Sequence, residues 1–208
     1  MIEEIKDNRK VLEKAGDMFR SIGIRSVSMD DIARELGISK KTLYQMVDNK
    51  EDLIQLVLEE DTRRDIQVLR QHSDQAADAI DELLRNSRYF IRQMRKVSPT
   101  TLHDLRKYYP ELFHSMVMNH QREFLLSVSN NLERGMEEGL YRADIDAEVI
   151  ANLYVGMTMM VVDRGVFPAQ ERPLSEIIRQ HSSYHFNGIV NQFGRDRLDH
   201  YLKQEDLP

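Results

Sequence analysis

Between Ser39 and Gln45 the chain gathers Ser39, Lys40, Lys41, Thr42, Tyr44 and Gln45 and puts no acid among them. Side chains of these types contact nucleic acid: ammonium and hydroxyl groups hold phosphates, lysine also reaches guanine acceptors, and glutamine pairs with adenine in the major groove. At helical spacing they lie on the outer face of a short helix, with Leu43 and Met46 on the other. His181 and His185 stand four apart on a predicted helix, the spacing at which two imidazoles share a metal. No acid completes that set, so a polar or interface pair is expected and a metal site is not. Serine, histidine and aspartate all occur, but without a nucleophile elbow, a glycine-rich phosphate loop or a paired-histidine hydrolase motif. Neither an enzyme nor a cofactor is therefore expected. With no cysteine, disulfides and thiolate chemistry are excluded.

A basic face of this kind is useful only if something holds it outward, and the flanking residues supply the means. Ser28 can accept from the free amides of a first helix, with Asp31 placed to reach back as a capping-box acid. Gly37 follows Leu36 where a helix ends in a left-handed residue. Ser39 can cap a second helix, and Ile38 can plug the angle between the two. Ile32, Leu36, Ile38, Leu43 and Met46 form the apolar set that faces the preceding helix. A further helix begins at Lys50, where free amides and the ammonium group together suit another phosphate. The spacing predicts a helix-turn-helix over residues 28–47.

The rest of the chain also reads as helical. Apolar residues recur at 3.6-residue spacing, and no period-two strand appears. The predicted helices are 3–21, 28–36, 39–45, 50–71, 75–95, 99–107, 110–138, 147–164 and 174–193, with a tenth over 195–203. The fold expected is all-α: an amino-terminal three-helix domain at 1–49, then a larger helical bundle at 50–208. A net charge of -6 does not oppose nucleic-acid binding, because the location of positive charge matters more than the total. The most apolar run, Leu153 to Val162, is too short to cross a bilayer. Glu3, Glu4 and Asp7 stand where a secretory signal would be basic, so a cytoplasmic protein without a membrane partner is expected.

The stretch from Ile5 to Leu58 resembles the amino-terminal DNA-binding domain of the TetR family of bacterial regulators. The matching residues are Phe19, Gly23, Ser28, Ile32, Ala33, Leu36-Gly37-Ile38-Ser39, Thr42-Leu43-Tyr44 and Asn49-Lys50-Glu51-Asp52-Leu53. The chain departs from the family at Met46 and Val47, where aromatic residues are common. The resemblance implies a homodimer reading an inverted-repeat operator in double-stranded DNA. It makes Tyr44 and Lys50 phosphate contacts, and Lys40, Lys41, Thr42 and Gln45 base or backbone contacts, with the hydroxyls of Ser28 and Ser39 beside them. Residues 131–146 resemble a recurring family feature, a helix ending near Gly139 before an acid-capped connection.

By the same resemblance, helices 147–164 and 174–193 pair across the dimer, with Leu153, Tyr154, Met157, Met160 and Val161 offering apolar area. The bundle would bind an apolar or amphipathic small molecule among Met94, Phe113, Met116, Phe124, Met157 and Met160, and release a repressor from its operator. Two alternatives stay open: a DNA-binding regulator without a small-molecule effector, and a helical interaction module that has lost DNA binding.

Overall fold

The structure, a computed structural model, describes residues 2–161, 166–167 and 172–204, and their side chains except at 2–8, 99, 159 and 204. Among the described residues there are ten helices: α1 (Ile2–Ile22), α2 (Met29–Leu36), α3 (Lys40–Leu43), α4 (Lys50–Gln75), α5 (Ala79–Lys96), α6 (Pro99–Tyr108), α7 (Pro110–Glu137), α8 (Ala147–Val161), α9 (Leu174–Ile189) and α10 (Gln192–Gln204). The only extended pairing among them is an isolated antiparallel bridge between Tyr141 and Val190. The chain is all-α, as its periodicity predicts, and no described helix is long and apolar enough to cross a membrane. The expected end of the eighth helix at 164 lies outside the described residues. The chain divides into two compact units, Met1–Asp65 with Lys96–His120, and Ile66–Arg95 with Gln121–Pro208.

The first unit has a core of Val11, Ala15, Phe19, Ile24, Val27, Ile32, Leu43, Val47, Leu53, Ile54, Val57 and Leu105. Leu36, Ile38 and Met46 pack half-buried against it. Helix α6 joins this core through the end of α1: the Ser98 amide donates to the Arg20 carbonyl at 2.6 Å, and the Thr101 hydroxyl to the Phe19 carbonyl at 2.8 Å. Gly23 makes this approach feasible. Its φ of +101° suits only glycine, and a Cβ there would lie 2.8 Å from Thr100 Oγ1.

The second unit is built around Ile80, Leu83, Leu132, Tyr141, Ala151, Tyr154, Val155, Phe186 and Ile189. Tyr141 fills the space left by the missing side chain of Gly135, where a Cβ would come within 2.1 Å of the ring. Its buried hydroxyl donates toward the Ala79 carbonyl at 3.1 Å and Asn131 Oδ1 at 3.0 Å, while Asn131 Nδ2 donates to that same carbonyl at 2.9 Å. Every polar atom of this knot thus has a partner, as burial requires.

Helix α7 stops at Glu137 and Gly139 is left-handed, matching the expected end. Asp146, one of the two acids expected to cap α8, does so by accepting from the Val149 amide at 3.1 Å.

The two last helices are present as expected, but the break between them falls earlier: α9 ends at Ile189 rather than 193, and α10 starts at Gln192 rather than 195. Val190 is extended and bridges to Tyr141, and Asn191 turns its amide to the carbonyls of Gly139 and Tyr141. Asn191 Oδ1 then accepts from the Gly194 amide at 2.9 Å and starts α10. Periodicity cannot place such a break to the residue, because so short an interruption leaves the apolar spacing on either side nearly intact.

Candidate nucleic-acid interface

The local chemistry of the two-helix corner is closed. Ser28 accepts from the Asp31 amide at 3.2 Å and the Asp31 carboxylate accepts from the Ser28 amide at 3.0 Å, a reciprocal capping box. Those hydrogen bonds from Ser28 hold the Asp31 carboxyl below its ordinary range. Gly37 adopts φ 67° and ψ 26°, and the Ile38 amide returns to the Ala33 carbonyl at 3.0 Å, so the chain turns sharply out of α2. Ser39 then caps α3 by accepting from the Thr42 amide at 3.0 Å. Helix α3 is shorter than expected, Lys40–Leu43. Backbone bonds from Gln45 to Lys41 and from Val47 to Leu43 nevertheless carry the helical path onward as turns.

This geometry sorts the predicted contacts into distinct groups. Lys41, Tyr44 and Gln45 are exposed, and none of their side chains has a hydrogen bond or ion pair among the described residues; Tyr44 is 43% exposed despite its apolar ring. The hydroxyls of Ser39 and Thr42 bond each other at 2.8 Å, which leaves one hydrogen free for an external acceptor. Ser28 is largely occupied by its cap, since its hydroxyl also donates to Asp31 at 2.6 Å.

Lys40 reaches back across the turn to Asp30 at 3.0 Å, and the hydrogen bond to that carboxylate raises its pKa. The sequence reading found no acid within 39–45 and missed Asp30, ten residues earlier, because only the Gly37 turn brings the two together. Lys50 donates to the Ile24 carbonyl at 2.6 Å; burial, the largest influence, lowers its pKa despite the nearby carboxylates of Asp104 and Asp31. It therefore ties the start of α4 to the loop before α2, with two ammonium hydrogens remaining. Asn49 caps α4 by accepting from the Asp52 amide at 2.9 Å.

A second basic cluster, unremarked in the sequence, lies in the same unit. The Arg25 guanidinium sits 4.6 Å from the ring centroid of Tyr108 and donates to its hydroxyl at 2.8 Å, and Lys107 lies 5.3 Å from the same ring. The Arg25 amide donates to Asp104 at 2.9 Å. The 82 residues separating Arg25 and Lys107 left no sequence signal for this cluster.

The side chains expected around a ligand fall into both units. Phe113 and Met116 pack against the core of the first. Met94, Phe124, Met157 and Met160 belong to the second, where Phe124 stacks edge-on to Phe90 and Met160 is exposed. Of the residues expected at the dimer surface, Tyr154 and Val161 are buried within their own unit. Leu153 and Met160 are exposed on α8 beside Val149, and Gly156 opens the same face. Among the described residues there is no group of three or more histidine or carboxylate side chains placed to hold a metal.

Residues 11–57 match the family described as bacterial regulatory proteins, tetR family. HTH-type transcriptional regulators from several Staphylococcus aureus strains are 35% identical over 79 residues, 38% of this chain and 40% of theirs, so the match spans two fifths of those relatives. Solved structures resemble the chain over most of its length. A transcriptional regulator from Cytophaga hutchinsonii superimposes with a TM-score of 0.70 at 15% identity, covering 88% of this chain and 98% of that one. A TetR-family regulator from Streptomyces coelicolor gives 0.66 at 19% identity over 89% and 97%. A regulator from Saccharomonospora viridis, solved in complex with choline, gives 0.65 at 18% identity over 90% and 99%. Residues 11–57 are thus similar to the tetR family of bacterial regulatory proteins, and the wider architecture is the fold of solved regulators of that family.

Proposed function

We propose that the protein is a sequence-specific DNA-binding transcriptional regulator in which residues 1–49 carry the DNA-binding corner and 50–208 carry regulation and dimerisation. The observation that carries this reading is the outward face of α3 and the turn after it. Lys41, Tyr44 and Gln45 are exposed and uncommitted there, on a helix whose capping hydrogen bonds are all internal. Lys41 and Tyr44 would bind phosphate, and Gln45 with Thr42 would read base edges. Ser28, Ser39, Lys40 and Lys50 would play supporting parts, Lys40 by exchanging Asp30 for a DNA phosphate. Duplex binding tests this directly. Lys41→Ala should weaken binding to all sequences and reduce the slope of log affinity against log salt by about one. Gln45→Ala should cost about 1 to 3 kcal/mol at one base pair. Wild-type affinity in both variants across a range of salt would remove α3 from the groove.

Specific regulation by so short a helix requires two of them, so the working form would be a homodimer on an inverted repeat. The exposed apolar stripe of Val149, Leu153 and Met160 on α8, with Tyr184 on α9 and Phe193 at the start of α10, supports a second copy as its cover. In this reading the protein is a cytoplasmic repressor, and a small molecule held in the second unit near Phe124 and Met157 releases it from the operator. The choline complex of the Saccharomonospora regulator supports a ligand in this kind of bundle.

A further inference from the structure

Two histidines hold buried ring nitrogens in the second unit, where apolar side chains would pack without penalty. His181 and His185 lie one turn apart on α9, and both rings stack on Tyr154 of α8, with centroids at 4.5 and 3.9 Å and planes tilted by 11° and 25°. From Tyr154 a row of rings continues through Phe124 at 5.8 Å, Phe90 at 5.2 Å and Tyr89 at 5.5 Å. The Tyr154 hydroxyl is engaged by Ser182. The Nε2 atoms of both histidines are fully buried and have no hydrogen-bond partner among the described residues. His185 is 6% exposed, while His181 is half-buried and lies nearer the surface. Native cores seldom strand two polar atoms around one ring, and each orphan opposes folding unless something binds it.

The surroundings narrow what that something is. Burial lowers the pKa of both imidazoles, that of His185 to about 3 with a smaller contribution from His181, so both rings are neutral near pH 7. A divalent metal would find two nitrogen ligands and no third histidine or carboxylate among the described residues. A carboxylate would find no charge on these rings to neutralise it. A hydroxyl both donates and accepts, so it satisfies an Nε2 atom in either tautomer. The neighbouring rings offer an aromatic wall to the rest of the molecule.

We propose that the Tyr154–His181–His185 stack is the polar end of a small-molecule site that takes a neutral, largely apolar arene carrying a hydroxyl, hydrogen-bonded to the orphaned Nε2 of His185 and bounded by His181. This deepens the effector reading and rests on it for any consequence at DNA, though not for binding itself.

The test titrates the full-length protein with 2-naphthol at pH 7.5, with 2-naphthoate and zinc chloride as comparisons. Calorimetry and long-range proton–nitrogen spectra of the histidine rings provide the readouts. One 2-naphthol should bind per chain and shift the Nε2 resonances of His181 and His185. His181→Leu and His185→Phe, which keep the core apolar, should each weaken binding tenfold or more. Four results would overturn the proposal: no 2-naphthol binding up to millimolar concentration, binding that both substitutions leave unchanged, tighter binding of 2-naphthoate, or one zinc ion held by the pair. Duplex binding measured on the same samples separates the two readings. If 2-naphthol fails while DNA binding persists, this site falls and the regulator stands. If 2-naphthol binds at the pair without altering duplex affinity, the site stands and its role as effector site falls.

Discussion

Single side chains in this protein are held by particular neighbours, and their energetics follow from those neighbours. Gly135 is the sharpest case. Gly135→Ala would drive a methyl group into the Tyr141 ring and should destabilise the chain by about 1 to 3 kcal/mol or more, read as a lowered urea midpoint at unchanged slope. His185 predicts a pH dependence. Its folded pKa of about 3 lies below the usual 6.5, so the unfolded chain takes up its proton first as pH falls. Its cost is absent above pH 6.5, grows by about 1.4 kcal/mol per pH unit below that, and levels off near 3. Unfolding free energies at pH 6.5 and 4.5 should therefore fall more steeply for wild type than for His185→Phe, and parallel curves would refute it. His120 works in the opposite sense. Burial, the largest single influence, opposes its charge, but the hydrogen bond to Asp65 at 3.2 Å, the charges of Asp65 and Asp61 and the Met116 carbonyl together outweigh it and raise its pKa, so its contribution is present in acid and lost as pH rises through the folded value. Little of this was legible in the sequence. Glycine at 135, tyrosine at 141 and the two histidines could be read, but which ring fills which gap depends on helix crossings that no spacing encodes.

Elements were far more legible, and the reason is local. The cap of α2, the left-handed stop at Gly37 and the cap of α3 each depend on residues within four positions of one another, so serine, glycine and aspartate announce them directly. The break at Val190 and Asn191 was expected a few residues later, because its position is imposed by Gly139 and Tyr141, about fifty residues away. The Ser39 cap allows helix stability and surface charge to be separated. Ser39→Ala should cost about 1 kcal/mol of stability, whereas Ser39→Asp keeps a capping oxygen and should cost much less. If α3 faces DNA, the ranking reverses for duplex affinity, because the aspartate would meet phosphates. Thermal unfolding and duplex titration of the two variants should therefore give opposite orders, and the same order in both would argue against a DNA-facing α3.

For the whole molecule, the exposed stripe on α8 carries the prediction. Leu153 is 55% exposed and Tyr184 73%, a poor arrangement for an isolated chain. Wild type should sediment as a dimer at micromolar concentration, and Leu153→Glu should yield folded monomer with sharply weaker operator binding; a wild-type monomer would exclude this surface as the interface. The division into units has a different consequence, one that concerns the order of synthesis. The first unit takes its residues from Met1–Asp65 and again from Lys96–His120, and Leu105, in its core, belongs to the later segment. A ribosome that has released only the helix-turn-helix has not yet made the Thr101 hydroxyl that caps the end of α1, nor Asp104, which receives the Arg25 amide. The two-helix corner must therefore wait, incomplete, while the intervening α5 emerges. A fragment ending soon after Asn49 would expose Phe19 and Leu43 to water rather than fold as a miniature of the whole.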